Sequence, residues 1–488
     1  MVRVAGRPYP VIDHADRLFV ETILRQPART CRLDLVRLAQ DNRTATSASM
    51  LEIAYRRLLA RFSVEITSFE RKRYENLSHA PNKAMNLNSY IGLVGGTFRE
   101  VARDGRLFLE STAEAHADLC VVASEFLLVV DADSILLPDY ALRLVHFMRE
   151  PGNRDVAIVQ TPYSAFPGAP GTLERVAGAT TDIQYVIHQG FTRYGATYWV
   201  GANAVMRTAA LADIARRTIE RDYEIVSFVQ DRTLIEDTES TVDLMAHGWR
   251  LHNYPERLAY SETPPDFGAL LIQRRRWANG GLIILPKLLR HLLGRSNAVG
   301  RIRRGLMMIH YLTSLAAVNI GLLLVLAFPF EGSMRHLWLP LTALPYYLVY
   351  ARDLRLAGYF RTDALRIYAL NLVLIPVNLV GVLASLSQAV CGSKAAFGRT
   401  PKHLGLTPVP AIYLVAEVGL GAQWLVRVAG DLLQHRPVHA LLTLANLGFL
   451  TYGLACLVGF SRGSSDVQRR PAEHAVALAR PQRADAAG

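Results

Sequence analysis

The stretch "LLVVDADSILLPDY", residues 127–140, decides how the first 300 residues are to be read. Leu127, Leu128, Val129 and Val130 read as a short buried strand. Asp131 and Asp133 then follow one residue apart, with Ser134 and a new helical start behind them. Two carboxylates that close repel unless something cationic joins them. A hard divalent ion with oxygen ligands, itself holding a phosphate, suits the pair. The plainer alternative is a strand-to-turn boundary, where Asp and Ser are turn and cap residues. Asp-x-Asp alone does not separate the two readings, so the rest of the chain must.

Working outward, 488 residues exceed one ordinary domain. A hydrophobic share of 51% coexists with a net charge of +12 because the two properties separate along the chain. Residues 1–300 have the mixed composition of a soluble α/β domain. From about 305, long apolar runs dominate between short Arg-rich loops. This predicts a cytosolic domain (1–300), a membrane domain (301–460) with basic loops at the cytoplasmic surface, and a polar, disordered tail (461–488). The arginines gather at the ends of apolar runs rather than on one polar face, which argues against nucleic acid as a partner. Cys31, Cys120, Cys391 and Cys456 have no paired spacing, so neither zinc nor a disulfide framework is indicated. The N-terminal residues contain no signal-peptide core, and insertion is left to the later helices.

In the first 300 residues, "RLDLVRLA" before Asp41, "RFSVEITSF", "EFLLVV" and "VAIVQTPY" read as strands. "SASMLEIAYRRLLA" and "YALRLVHFMRE" read as helices between them. That alternation predicts a mainly parallel sheet covered by helices, with ligands beyond the carboxyl ends of the strands. Asp41, Asp131 and Asp133 would then share one rim. Lys83 and Asn88, in "HAPNKAMNLNSYI", would lie near the same mouth, where a Lys can meet a diphosphate as a point charge. The alternative for Lys83 is a solvated residue at a helix start. Glu236 and Asp237 stand at the start of a predicted helix, where acids also serve as caps. "LLIQRRRWANGG" brings Gln273, three arginines and Trp277 together. An indole offers a platform for a sugar ring, and arginines suit phosphate oxygens. A basic-aromatic patch at the lipid headgroups is the competing reading.

Taken in order, Gln40-Asp41, "NKAMNLN", Asp131-Ala132-Asp133, "QTP" at 160–162, "VGANAVMR" at 200–207, Glu236-Asp237, Gln273-x-x-Arg276-Trp277 and "FGRTPK" at 397–402 resemble the processive family 2 glycosyltransferases of the cellulose synthase type. The resemblance covers roughly residues 15–460. It implies a GT-A fold, an α/β domain with a mainly parallel mixed sheet followed by transmembrane helices, and inverting extension of a β-linked polysaccharide from a UDP-sugar. It further implies that Asp41 contacts the uridine, that Lys83 lies by the nucleotide, and that Asp131 and Asp133 bind the nucleotide with Mg²⁺ or Mn²⁺. Asp237 would be the general base. Gln273, Arg276 and Trp277 would bind the diphosphate and acceptor sugar. Thr400 and Lys402 would belong to a loop that closes over UDP. The family's usual first-strand loop has no clear counterpart in "MVRVAGRPYPVIDHADRLF", and "QDN" stands where two acids are usual.

Apolar segments appear at about 305–329, 336–352, 367–390, 409–427 and 438–460. If the first three all cross, "FGRTPK" and the Arg-rich tail land outside, against the positive-inside rule. Asn371, Pro376 and Asn378 fit a lipid-facing helix poorly, so 367–390 is expected to lie at the interface or re-enter. Four crossings remain, with missing helices or a partner subunit completing a polymer channel. Competing readings are a transferase of single sugars to a lipid carrier and a degenerate membrane scaffold.

Overall fold

The computed structural model describes residues 11, 13–40, 47–113, 116–201, 203–231, 233, 235–293, 298–328, 342–391 and 407–459. Its strands are β1 (Thr97–Arg103), β2 (Arg106–Ser111), β3 (Leu119–Cys120), β4 (Phe126–Val129), β5 (Ser134–Leu136) and β6 (Val156–Gln160). They continue with β7 (Tyr163–Ala165), β8 (Ala204–Arg207), β9 (Arg216–Glu220), β10 (Tyr223–Ser227), β11 (Arg250–Asn253) and β12 (Ala259–Ser261). The principal helices begin with α1 (Gln26–Gln40), α2 (Ala48–Phe62), α3 (Lys83–Ile91), α4 (Tyr140–Arg149) and α5 (Thr172–Thr192). After these come α6 (Glu236–Ala246), α7 (Phe267–Leu293), α8 (Ala298–Ala327) and α9 (Leu344–Leu356). The last four are α10 (Asp363–Val373), α11 (Ile375–Cys391), α12 (Ala411–Leu433) and α13 (Pro437–Gly453).

The chain divides into two compact units, Met1–Ser124 with Arg216–Ser227, and Glu125–Ala215 with Phe228–Gly488. In the first, β1 pairs antiparallel with β2 and β3, and β9 with β10. Two strand expectations fail here. "RLDLVRLA" lies in helix α1, because Leu, Arg, Ala and Gln are good helix formers and only Val36 is β-branched. Within "RFSVEITSF", α2 runs on to Phe62 and residues 63–70 join no strand. Val64 and Ile66 are 67% and 92% exposed, so that alternating pattern finds no partner sheet to reward it. The helix before it forms as expected, and Ser47 caps it by accepting from the Met50 N–H at 3.3 Å.

In the second unit the strand order is β11-β6-β8-β4, beside a small sheet β5-β12-β7. Among the described strands the β11–β6 and β12–β7 pairs are parallel and the other pairs antiparallel, so the sheet is mixed, as the expected α/β domain allows. The reason is β8, which returns after α5 and runs antiparallel to both β6 and β4. Every residue of β6 and β8 is buried, as continuous apolar runs require. Helix α4 covers this sheet with Tyr140, Leu144 and Met148 against Val156, Val159 and Val205.

Among the described residues, three helical stretches are long and apolar enough to cross a membrane: Ile302–Ala327, Ala411–Leu433 and Pro437–Val458. The pair α10–α11 would make a fourth if it were one span, but it bends by 51°. Pro376, lacking an N–H, sits in the first turn of α11 directly after that break, a position a proline tolerates. The segment expected at 336–352 is described only from residue 342, as α9. The tail at 461–488 lies outside the described residues.

Polar contacts fasten these helices to the α/β layer. Arg175 of α5 pairs with Asp363 at the start of α10, and the Tyr359 hydroxyl donates to Asp182 Oδ2 at 3.0 Å. Burial pushes the Asp182 carboxyl up, against the opposing pull of Arg257. Thr407 Oγ1 donates to Asp266 Oδ2 at 3.2 Å, at the head of α7. Gly381 of α11 lies so close to α7 that a Cβ would sit 2.8 Å from the Arg275 carbonyl oxygen. Elsewhere, His439 bridges Asp431 Oδ2 at 2.5 Å and the Val325 carbonyl at 3.1 Å, joining the end of α8 to α12 and α13. One apolar cluster runs through Leu173, Val176, Ile183, Leu270 and Leu271 into Leu354, Leu370, Trp424 and Leu450.

Candidate active site

Gln160, the last residue of β6, organises the site. Its Nε2 donates to the Tyr198 carbonyl at 2.6 Å and to Asn253 Oδ1 at 2.7 Å, while its Oε1 accepts from the Val200 N–H at 3.1 Å. The loop it holds contains Gly201 at φ +87° and Asn203 at φ +51°, two left-handed residues of the "VGAN" motif. Asn203 Nδ2 donates to Ser261 Oγ at 3.1 Å, and Ser261 Oγ lies 2.6 Å from Ser134 Oγ. The Tyr140 hydroxyl donates to the Asn203 carbonyl. The "VGAN" loop and the acid turn between β4 and β5 are thus one hydrogen-bonded piece.

Within that turn the Ser134 N–H donates to the Asp131 carbonyl at 3.0 Å and the Glu262 N–H to the Asp133 carbonyl at 3.2 Å. Both Asp131 and Asp133 are half-buried. The described residues hold no group of three or more His, Cys, Asp or Glu placed to bind a metal. The pair still supplies two hard oxygen donors at a strand end, which fits a divalent ion that draws its other ligands from a diphosphate and water.

Asp237 is the second residue of α6. Its Oδ1 accepts from the Thr238 N–H at 2.6 Å, and its Oδ2 lies against Gly201, where a Cβ would collide with it. Thr241 Oγ1 donates to the Asp237 carbonyl at 3.1 Å and accepts from the Trp199 N–H at 3.0 Å, pinning α6 to the same loop. An acid here also meets the positive end of the helix. Gln273, Arg276 and Trp277 sit half-buried in the middle of α7. Three residues beyond Trp277, Gly280 packs directly on Ile235, just before α6, and Lys287 pairs with Asp243 at 2.7 Å. The second unit therefore assembles the acid turn, the "VGAN" loop and Asp237 around one loop, and packs the Gln-x-x-Arg-Trp helix against the start of α6.

Lys83 belongs to the first unit and opens α3, whose cap is Asn82, accepting from the Met85 N–H at 2.8 Å. Asn88 is buried on that helix. The preceding loop is held by buried Arg71, which donates to the carbonyls of Ser78 and Ala80. Asp41, Thr400 and Lys402 lie outside the described residues. The motifs contained Gln160, Gly201 and Asn203, but nothing in them revealed what these residues hold. Ser134 read only as a turn or cap residue, and Thr241 and Ser261 carried no signal in the sequence.

Residues 126–351 match the family described as Glycosyl transferase family group 2. Over 241 residues the chain is 26% identical to "Glucans biosynthesis glucosyltransferase H" of Xanthomonas euvesicatoria pv. vesicatoria (strain 85-10), covering 47% of this chain and 31% of that protein. It is 27% identical over 166 residues to "Probable glucomannan 4-beta-mannosyltransferase 7" of Oryza sativa subsp. japonica, covering 34% of this chain and 26% of that protein. The chain thus spans less than a third of the length of these curated relatives. Among solved structures it is similar to "Mannosyltransferase PcManGT from Pyrobaculum calidifontis in complex with GDP-Man and Mn2+", at a TM-score of 0.36 and 13% identity, covering 70% and 75% of the two chains. That likeness is too loose to assign residues. The match at 126–351 takes in the acid turn, the "VGAN" loop, Asp237 and the Gln-x-x-Arg-Trp helix, and in this stretch the chain is similar to the glycosyltransferases of family group 2.

Proposed function

We propose that this chain is a membrane-embedded inverting glycosyltransferase that extends a β-linked polysaccharide from a UDP-sugar, with UDP-glucose the first candidate. The observation that carries the reading is Asp237, held at a helix start against Gly201, in a loop tied to the acid turn. Asp237 takes the proton from the acceptor hydroxyl as that oxygen attacks the anomeric carbon and the bond to the diphosphate breaks. Asp131 and Asp133 hold Mg²⁺ or Mn²⁺, which when bound offsets charge on the departing diphosphate. Gln273 and Arg276 bind the diphosphate, and Trp277 stacks the acceptor sugar. Asp41 and Lys83 contact the nucleotide, and Thr400 and Lys402 close over it.

The catalytic domain is cytoplasmic in this reading. Contacts of Tyr359, Asp363 and Thr407 with the α/β layer support four crossings, by the segments at about 305–329, 336–352, 409–427 and 438–460, with α10–α11 at the interface. The growing polymer passes between these helices, aided by a partner subunit, and the reaction is coupled to secretion.

Incubating membranes that contain the protein with radiolabelled UDP- and GDP-sugars and Mg²⁺ tests the reading. High-mass polymer from a UDP-sugar is expected. Label confined to a lipid-extractable monosaccharide, or no incorporation from any donor, would overturn it.

A further inference from the structure

Arg274 stands at a position that the Gln-x-x-Arg-Trp motif leaves open. Its Nη2 donates to Thr180 Oγ1 at 2.5 Å and reaches the Ala177 carbonyl at 3.4 Å, both on α5. Its guanidinium carbon stands 4.4 Å from the centroid of the Trp277 ring. Its Nε is buried with no hydrogen-bond partner among the described residues. Burial lowers its pKa to about 10, so it remains charged at neutral pH. A planar guanidinium is weakly hydrated and stacks on an indole, an arrangement a lysine ammonium reproduces poorly.

An indole has two faces, and Arg274 occupies one. A tryptophan free to change rotamer must be ordered when a sugar lands on it, which lowers affinity. We propose that Arg274 is a positioning residue for the acceptor: anchored to Thr180, it holds Trp277 as a fixed platform whose other face receives the terminal sugar. The proposal rests on the reading of Trp277 as the acceptor platform. The anchor lies on α5, the helix that Tyr359 and Asp363 also grip, so the platform is braced by the scaffold and not by a mobile loop.

The test uses the full chain in nanodiscs, with radiolabelled UDP-glucose and β-glucan oligosaccharides as acceptors. Arg274→Met keeps length but removes the charge and plane, and it should raise the acceptor KM about tenfold. Donor KM and kcat at saturating acceptor should stay within about twofold, the signature of lost ground-state binding. Thr180→Val should act in the same direction more weakly, and Arg274→Lys should recover part of the loss. An unchanged acceptor KM, or donor KM and kcat shifting alongside it, would overturn the proposal. Fluorine NMR of fluorotryptophan-labelled protein, with Trp277 assigned through Trp277→Phe, gives a readout that needs no turnover. Its resonance should move or broaden in Arg274→Met, and an unaltered resonance would sink the proposal. If the parent protein extends no acceptor, the proposed function fails, while the fluorine signal still decides whether Arg274 holds Trp277.

Discussion

The carboxylate of Asp237 rests on the backbone of Gly201, with Oδ2 occupying the space a side chain at Gly201 would need. The contact joins a left-handed loop residue to a helix-start acid. It makes the two motifs a single device, whose parts can be tested separately.

Asp237→Asn keeps the size of the side chain and can still accept from the Thr238 N–H. A cap contributes about 0.5–2 kcal/mol of stability, whereas a general base contributes about 10²–10⁴-fold in rate. The variant should fold and bind UDP like the parent yet transfer sugar at least about a hundredfold more slowly. Transfer within a few-fold of the parent would reduce Asp237 to a cap.

Gly201→Ala should injure the same step from the other side. At φ +87° a Cβ is strained, and here it also strikes the Asp237 carboxylate. A stability loss of about 1–3 kcal/mol is expected, together with a fall in kcat larger than any rise in donor KM. Thermal unfolding and steady-state kinetics on the same preparation separate the two effects.

Asp133→Ala should abolish Mn²⁺-dependent UDP binding while leaving the fold intact, because the Glu262 N–H contacts the Asp133 main chain and not its carboxylate. Titration calorimetry with and without Mn²⁺ reads this directly. Parent-like affinity in the presence of Mn²⁺ would remove Asp133 from the metal site.

The crossing pattern predicts opposite labelling of two loops. In a variant free of the native cysteines, Arg361→Cys should be shielded from impermeant thiol reagents in intact cells, and Gln434→Cys should be labelled. The reverse pattern, or labelling of both, would refute four crossings.

His188 predicts an acid limit. It is 2% exposed, among Tyr185, Phe191 and Tyr311, and burial pushes its imidazole down to about 4. The folded protein keeps it neutral, whereas the unfolded chain protonates it below about pH 6.5. Its contribution is therefore complete above pH 6.5 and falls by up to about 1.4 kcal/mol per pH unit as pH drops towards 4. His188→Phe should flatten the Tm-against-pH curve across that window. An unaltered slope would assign the acid sensitivity to other groups.

What the chain disclosed in advance follows from physics. "VAIVQ" was legible because a strand buried on both faces needs an unbroken apolar run, whereas "EFLLVV" forms its strand at the sheet edge with only Val129 buried. "RLDLVRLA" was not legible, since its alternation also satisfies a helix and its residues favour one. Asp131 and Asp133 drew attention as two acids one residue apart after an apolar run, whereas Asp237 stands at a helix start that an acid suits anyway and was singled out by the family resemblance. The Gln160 clamp and the Asn203–Ser261–Ser134 chain stayed hidden, because neutral hydrogen-bonding side chains acquire meaning only when distant strands are brought together.

The apolar cluster that links α5 and α7 to the helices beyond them has a practical corollary. A fragment cut after residue 293 would bare Leu173, Val176, Ile183, Leu270 and Leu271 to water, and the polar surface of α5 would lose Asp363 and Tyr359 as well. Such an exposed patch favours aggregation. Excising the catalytic layer as a soluble enzyme should therefore yield inclusion bodies, and biochemistry on this chain belongs in lipid or detergent from the first purification step.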